Sequence, residues 1–126
     1  MGSTVLIVED DADIRDAVTD LLCAAGVRVL ATDEGQKALE MMGTWRPAVV
    51  LLDLTLAGMS GAEFRRRQQQ TPQLSTIPVV VMSGHPDPRL TVDATLQKPF
   101  PLEELRAALG RFVPELRQRA GATGTR

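Results

Sequence analysis

The chain is 126 residues long, with 44% hydrophobic and 24% charged residues and a formal net charge of −2. That length predicts one domain able to bury a proper core, and the balance of charge excludes a whole-chain attraction to nucleic acid. Cys23 is the only cysteine, so no internal disulfide forms; with no apolar run near membrane-spanning length and no signal-peptide pattern, a cytoplasmic protein without membrane contact is expected.

Residues 4–8 are a continuous apolar run that ends in Glu9, Asp10 and Asp11. Such a run predicts a strand buried on both faces. Asp11 or Asp13 is placed to cap the helix that follows. In it Ile14, Ala17, Val18, Leu21, Leu22 and Ala25 recur at helical spacing and form the inward face, with Cys23 packed beside it and Gly26 as the stop. Residues 27–31 predict a short second strand. Thr32 or Asp33 caps a second helix, with Ala38, Leu39 and Met42 inward and an end near Gly43; Trp45, Arg46 and Pro47 form a loop that Trp45 anchors.

Residues 48–52 repeat the pattern of the first strand: an apolar run that leads into an acid, here Asp53. Gly58 and Gly61 loosen the exit, and Ser60 with Glu63 three residues later fits a capping box, so a third helix is expected over 60–70. On it, Arg65, Arg66 and Arg67 read as a solvated face, and nucleic-acid contact is not expected because no aromatic residue interleaves them. Residues 78–82 predict a fourth buried strand that ends at Ser83, Gly84 and His85. Pro86 and Pro88 then break the chain, and residues 89–93 are too short and polar for a full helix. Residues 94–97 are a short fifth strand before Lys98 and Pro99. Pro101, Leu102, Leu105, Leu109 and Phe112 mark the last helix, and Leu116 continues its apolar face after a kink. The methionines read as core filler. The core covers about residues 4–113, with 114–126 a C-terminal extension whose end, 121–126, is expected to be disordered.

Strand and helix alternate throughout, which predicts an α/β fold with one parallel sheet between two helical layers. For five strands the order 2-1-3-4-5 follows, the flavodoxin-like doubly wound arrangement, with a crevice at the carboxyl ends of strands one and three. Those two strands end in acids. Glu9, Asp10 and Asp53 therefore converge, and three carboxylates in close quarters raise one another's pKa unless a cation compensates. An oxygen-only, carboxylate-rich set suits Mg²⁺. Strand four adds the Ser83 hydroxyl and strand five the Lys98 ammonium. Together these groups suit a phosphoryl group: Mg²⁺ and Lys98 neutralise its oxygens, Ser83 hydrogen-bonds to one, and a carboxylate is the nucleophile.

With Glu9–Asp10, Asp53 in LLDLTLAGMSG, Ser83 in VMSGH and Lys98-Pro99-Phe100 in this order, the chain resembles the receiver domain of two-component response regulators over about residues 4–113. The resemblance implies that Asp53 accepts a phosphoryl group from the phosphohistidine of a partner histidine kinase or phosphotransfer protein. It implies that Asp10, Asp53 and the backbone carbonyl of Thr55 hold Mg²⁺, with Glu9 supporting through water. It further implies that Ser83 turns toward the aspartyl phosphate, that Thr55 and His85 tune the lifetime of the phosphate, and that the Lys98–Pro99 bond is cis.

Three departures from the family stand out. Ala57 replaces a proline that is usual there. Thr95 stands where the family carries the Tyr or Phe that swings inward on activation, and the chain has no tyrosine. Lys98 follows Ser83 by only fifteen positions, about two helical turns, on the order of 7 residues, fewer than the resemblance suggests. The fourth helix is therefore expected to be shortened or missing, and any switch to work by reordering of residues 84–93. Two other functions compete: a pseudo-receiver, an interaction module indifferent to phosphate, and a haloacid-dehalogenase-like phosphatase, suggested by Asp53-Leu54-Thr55 but needing acids on later strands. The receiver reading makes the protein a phosphoacceptor rather than a turnover enzyme.

Overall fold

The computed structural model describes residues 2–56 and 58–117; the expectations placed on Ala57 and on the end of the C-terminal extension lie outside them. Five strands, β1 (Thr4–Val8), β2 (Arg28–Thr32), β3 (Val49–Asp53), β4 (Val79–Ser83) and β5 (Ala94–Gln97), pair in parallel in the order β2-β1-β3-β4-β5. The helices include α1 (Ala12–Ala24), α2 (Gly35–Trp45), α3 (Gly61–Gln70) and α4 (Leu102–Gly110), and residues 114–117 are helical as well. This is the flavodoxin-like doubly wound fold that the alternation predicts. No helix among the described residues is long and apolar enough to cross a membrane.

Both faces of the sheet are covered, which is why the strands read as unbroken apolar runs. On one face Val5, Ile7, Val49, Leu51, Val80 and Met82 meet Val18 and Leu22 of α1 and Leu105 and Leu109 of α4. Val113 and Leu116 extend this layer past the end of α4, so Leu116 does continue the apolar face. On the other face Leu6, Val8, Val50, Leu52, Val79 and Val81 meet Ala38, Leu39 and Met42 of α2 and Phe64 of α3. Successive strand residues thus serve alternate layers, and a slip of one residue in any pairing would exchange them.

Several local expectations need correction. Strand β2 starts at Arg28, because Val27 N–H closes the turn after α1 on the Leu22 carbonyl (3.0 Å), across Gly26 at φ 85°. Helix α2 is not capped by Thr32 or Asp33. Its N-cap is Glu34, without a side-chain cap bond, while Thr32 Oγ1 accepts from the Glu34 N–H. The helix runs two residues past Gly43, and Arg46 closes it in the left-handed region. Trp45 is therefore helical and 50% exposed, so it anchors no loop. Cys23 is exposed rather than packed. Ser60 caps α3 through the Glu63 N–H, but the Glu63 carboxylate pairs with Arg66 and Arg67 instead of completing a box. Arg65 is not on a solvated face: it is buried, as is Gln68 one turn on.

Between β4 and β5, residues 84–93 contain no helix. Two prolines remove N–H donors within three positions, and too few residues remain for a nucleated helix. Leu90 and Val92 from this connector pack against the second layer in the helix's place. Asp93 ties the connector to β4: its N–H donates to the Val79 carbonyl (2.9 Å) and its Oδ2 accepts from the Val79 N–H (2.8 Å).

Leu51 is fully buried at the centre of the first layer. Leu51→Ala is expected to lower the unfolding free energy by about 3 kcal/mol in urea denaturation. A loss below about 1 kcal/mol would contradict the tight packing described.

Candidate functional site

The parallel register brings the chemistry to one edge. Val8 is level with Leu52, so Glu9 and Asp10 follow β1 beside Asp53, the last residue of β3. Asp53 is level with Met82, and Ser83 with Gln97, so Ser83 and Lys98 reach the same edge from β4 and β5. Each strand delivers its polar residue only after its apolar run is spent.

The Lys98 Nζ stands between two carboxylates, 2.7 Å from Glu9 Oε1 and 3.4 Å from Asp53 Oδ2. Glu9 is fully buried. Its Oε2 accepts the Asp11 N–H at 3.1 Å, and its backbone carbonyl accepts from Arg15 Nη1 at 2.8 Å. Asp53 is 2% exposed, and its Oδ1 accepts both the N–H and the Oγ1 hydroxyl of Thr55, each at 3.0 Å. Asp10 is exposed at the rim. A carboxylate oxygen from each of Glu9, Asp10 and Asp53 lies within 4.8 Å of the other two.

Burial pushes the Glu9 carboxyl up to about 6, and the neighbouring Asp53 adds to this, while Lys98 opposes it. Burial works against the charged form of Asp53 too, but hydrogen bonds from the Glu9 carboxyl and from Thr55, with the field of Lys98, hold it below the ordinary aspartate value. Lys98 is held above its ordinary value, because Glu9 and Asp53 outweigh the cost of its burial. Of the two neighbouring acids, Glu9 is thus the one that keeps its proton to higher pH.

Three carboxylates facing one ammonium leave two negative charges when all are ionised. An oxygen-only set with that deficit fits a hard divalent cation. Both Glu9 oxygens are engaged by protein donors and Asp53 is buried between Thr55 and Lys98, whereas Asp10 is exposed, so the set divides into two inner acids and one at the rim.

The remaining expected residues take different places. Ser83 is buried at the edge, but its Oγ accepts the His85 N–H (3.0 Å) rather than facing Asp53. His85 itself is exposed. The Lys98 N–H donates to the Ser83 carbonyl at 2.8 Å, which joins the two strand ends, and the Lys98–Pro99 bond is cis. Thr95 is exposed on β5, level with Val81 and away from the acids. No sequence signal marked Arg15, whose side chain folds back to the Glu9 carbonyl just past β1. The Thr55 side chain was also missed as a partner of Asp53; a hydroxyl two residues after an acid was the available signal.

An apolar groove of about 440 Å³ adjoins the site. Ile14, Ala17 and Val18 of α1 form one wall, and Pro99, Phe100 and Leu102 the other, with Lys98 at its end.

Residues 5–110 match the family of response regulator receiver domains. The chain is 34% identical over 116 residues to the sensor histidine kinase TmoS of Ectopseudomonas mendocina, covering 86% of this chain and 12% of that protein. It is 33% identical to the phosphate regulon transcriptional regulatory protein PhoB of Pseudomonas aeruginosa, covering 86% of this chain and 51% of that protein. The chain therefore spans about a tenth to about half of these relatives' lengths. Among solved structures, the receiver domain of the sensor histidine kinase PA1611 of Pseudomonas aeruginosa superposes with a TM-score of 0.82 at 22% identity, covering 89% of this chain and 98% of that one. In that crystal a magnesium ion is coordinated in the active site cleft.

A folded-state carboxyl raised above its unfolded value stabilises the fold at low pH and loses that contribution as pH rises through the raised value. For Glu9 the window runs from about 4.5 to about 6. In chelator-treated protein, wild type is expected to lose about 2 kcal/mol relative to Glu9→Gln between pH 4.5 and 7. Parallel urea-stability profiles for the two proteins would refute the buried proton.

Proposed function

The chain belongs to the response regulator receiver family of two-component systems, and from this we propose that Asp53 takes a phosphoryl group from the phosphohistidine of a partner kinase or phosphotransfer protein. The observation that carries the proposal is the ionised, buried carboxylate of Asp53 with Lys98 at 3.4 Å, inside a three-carboxylate cluster. An Asp53 oxygen attacks phosphorus, the phosphorus–nitrogen bond to the donor imidazole breaks, and the electron pair returns to the ring nitrogen. Asp10, Asp53 and the Thr55 carbonyl, with Glu9 in support, would hold Mg²⁺, which when bound would neutralise charge on the phosphoryl oxygens. Lys98 adds a second positive charge on the same side and orients Asp53 through Oδ2. The two Thr55 donors hold Oδ1, so the carboxylate does not rotate freely. For Ser83 to bond the phosphoryl group, its hydroxyl must donate to a phosphoryl oxygen, and accepting the His85 N–H leaves that donor free.

Receiver domains accept a phosphoryl group rather than turn over a substrate. The haloacid-dehalogenase-like reading is disfavoured because β4 and β5 end in Ser83 and Gln97, which are not acids. Nucleic-acid contact through α3 is disfavoured too: Arg65 is buried, and Arg66 and Arg67 are paired with Glu63. An atypical output is supported by the exposed Thr95 and the helix-free connector. Those features also favour the pseudo-receiver alternative, which the acid cluster and Lys98 oppose.

The first test is incubation with acetyl phosphate and Mg²⁺. A mass increase of one phosphoryl group is expected on Asp53 and absent in Asp53→Asn; no adduct on wild type would leave the pseudo-receiver. The second concerns the donor. A phosphohistidine must reach Asp53 past the groove that ends at Lys98, and the apolar walls, with Ala17 and Leu102 exposed, suit the side of a helix-bearing donor. Ala17→Glu is expected to slow phosphotransfer from a phosphohistidine protein about tenfold or more while leaving acetyl phosphate labelling unchanged. Equal slowing of both reactions would sink the docking role.

A further inference from the structure

The connector between β4 and β5 has no regular structure, yet one half of it is held by a closed polar network. Arg65 and Gln68 of α3 are 9% and 0% exposed. Arg65 Nε and Nη2 both donate to the Thr91 carbonyl, at 3.1 and 2.7 Å, and Nη1 donates to Gln68 Oε1 at 2.7 Å. Gln68 Nε2 donates to the Leu74 and Ile77 carbonyls, both at 2.9 Å. Helix α3 is thereby fastened to the backbone on both flanks of β4, before it at residues 74–77 and after it at 91. Around Thr91, the Leu90 N–H donates to the Asp87 carbonyl (3.1 Å), Leu90 and Val92 pack on the core, and Asp93 pairs twice with Val79. Between Ser83 and Asp87, by contrast, the His85 N–H to Ser83 Oγ bond is the one hydrogen bond recorded. Gly84 there has open space around it.

We propose that Arg65 is a positioning residue which, with Gln68, clamps residues 87–93 to α3 in place of the missing helix, so that the connector moves only at 84–86, next to Ser83. The physical reason is the cost of opening. Withdrawing Thr91 strips a buried guanidinium of two hydrogen bonds and leaves its Nε and Nη2 donors without an acceptor. No such penalty attaches to residues 84–86, where one hydrogen bond holds a solvent-facing segment. Only an arginine serves here: its planar fork meets one carbonyl with two nitrogens and reaches the Gln68 amide with the third. The second half of the proposal, the confinement of movement, rests on Asp53 being the phosphoacceptor; the clamp itself does not.

Amide hydrogen exchange of the full chain, resolved by residue, tests both halves. In unliganded protein, Arg65→Met is expected to raise exchange at Leu90 and Asp93 tenfold or more, while amides of β1 and β3 keep their protection and Mg²⁺ affinity stays within about twofold. Arg65→Lys, which keeps the charge but has a single donor nitrogen in place of three, is expected to restore part of the protection. Unchanged exchange at Leu90 and Asp93 in Arg65→Met overturns the clamp. So does a rise there matched in β1 and β3, which would mean that Arg65 serves global stability only. If Arg65→Met fails to fold, Arg65→Lys and Gln68→Met decide by the same criterion. Beryllofluoride with Mg²⁺, added to wild type, is expected to change exchange at His85 and leave Leu90 and Asp93 unaltered; a change at Leu90 and Asp93 overturns the confinement. No change at either His85 or Thr55 counts against the phosphoacceptor reading, while the clamp is decided by the unliganded comparison.

Discussion

Lys98 between Glu9 and Asp53 is the contact on which the rest of this structure depends. Two carboxylates are buried at the mouth of the sheet within reach of a third, and burial of unpaired charge is costly enough to unfold a small domain. The ammonium comes from the end of β5 and must pass the end of β4 to meet acids carried by β1 and β3. That reach requires every strand pairing to hold its register. It also requires the Lys98 backbone to be fixed, which the N–H bond to the Ser83 carbonyl does. The fold and the chemistry are therefore not separable here: the strand order 2-1-3-4-5 exists in a form that leaves these charges soluble only if the lysine arrives.

The same edge also shows how a site stays poised. Burial raises the Glu9 carboxyl, while Thr55, Lys98 and Glu9 itself hold Asp53 below its ordinary value, so Asp53 is the acid that ionises first. A cation placed among the three acids would favour the loss of the Glu9 proton, since metal binding and deprotonation are linked. Thr55 completes the arrangement by holding one Asp53 oxygen, so the carboxylate presents a fixed face. None of these groups would act alone; two similarly buried acids differ because Thr55 donates twice to Asp53.

Much of this was legible in the sequence because two-sided burial writes itself as apolar runs, and the residues that end such runs are at the sheet edge by necessity. Glu9, Asp10, Asp53, Ser83 and Lys98 were found in that way, and so was the loss of the helix before β5. What was not legible were polar residues doing buried work. Arg65 sits in a run of three arginines, where two are solvated and paired with Glu63; no local signal distinguishes the one that turns inward. Gln68 lies in a run of three glutamines with the same ambiguity. Both are decided by tertiary neighbours, the carbonyls of residues 74, 77 and 91, which no helical periodicity encodes. Cys23 failed in the opposite sense, since an apolar label one step off the inward face does not oblige burial.

The altered half of the molecule follows from the short, helix-free connection between β4 and β5. A helix between β4 and β5 would cover the second layer and satisfy its own backbone. Without it, the apolar cover falls to Leu90 and Val92, and the stranded carbonyl of Thr91 must be met by something else. Arg65 meets it, at the price of a cation in the interior, and Gln68 shares that burden by accepting from the guanidinium. An inward-swinging aromatic at position 95 would need a mobile helix above it to make room. With neither the ring nor the helix present, Thr95 is left exposed, and the Ser83–His85 hydrogen bond becomes the remaining link between the acid cluster and the connector. A receiver stripped in this way keeps the part that meets phosphate and concentrates its freedom in the three residues beside it.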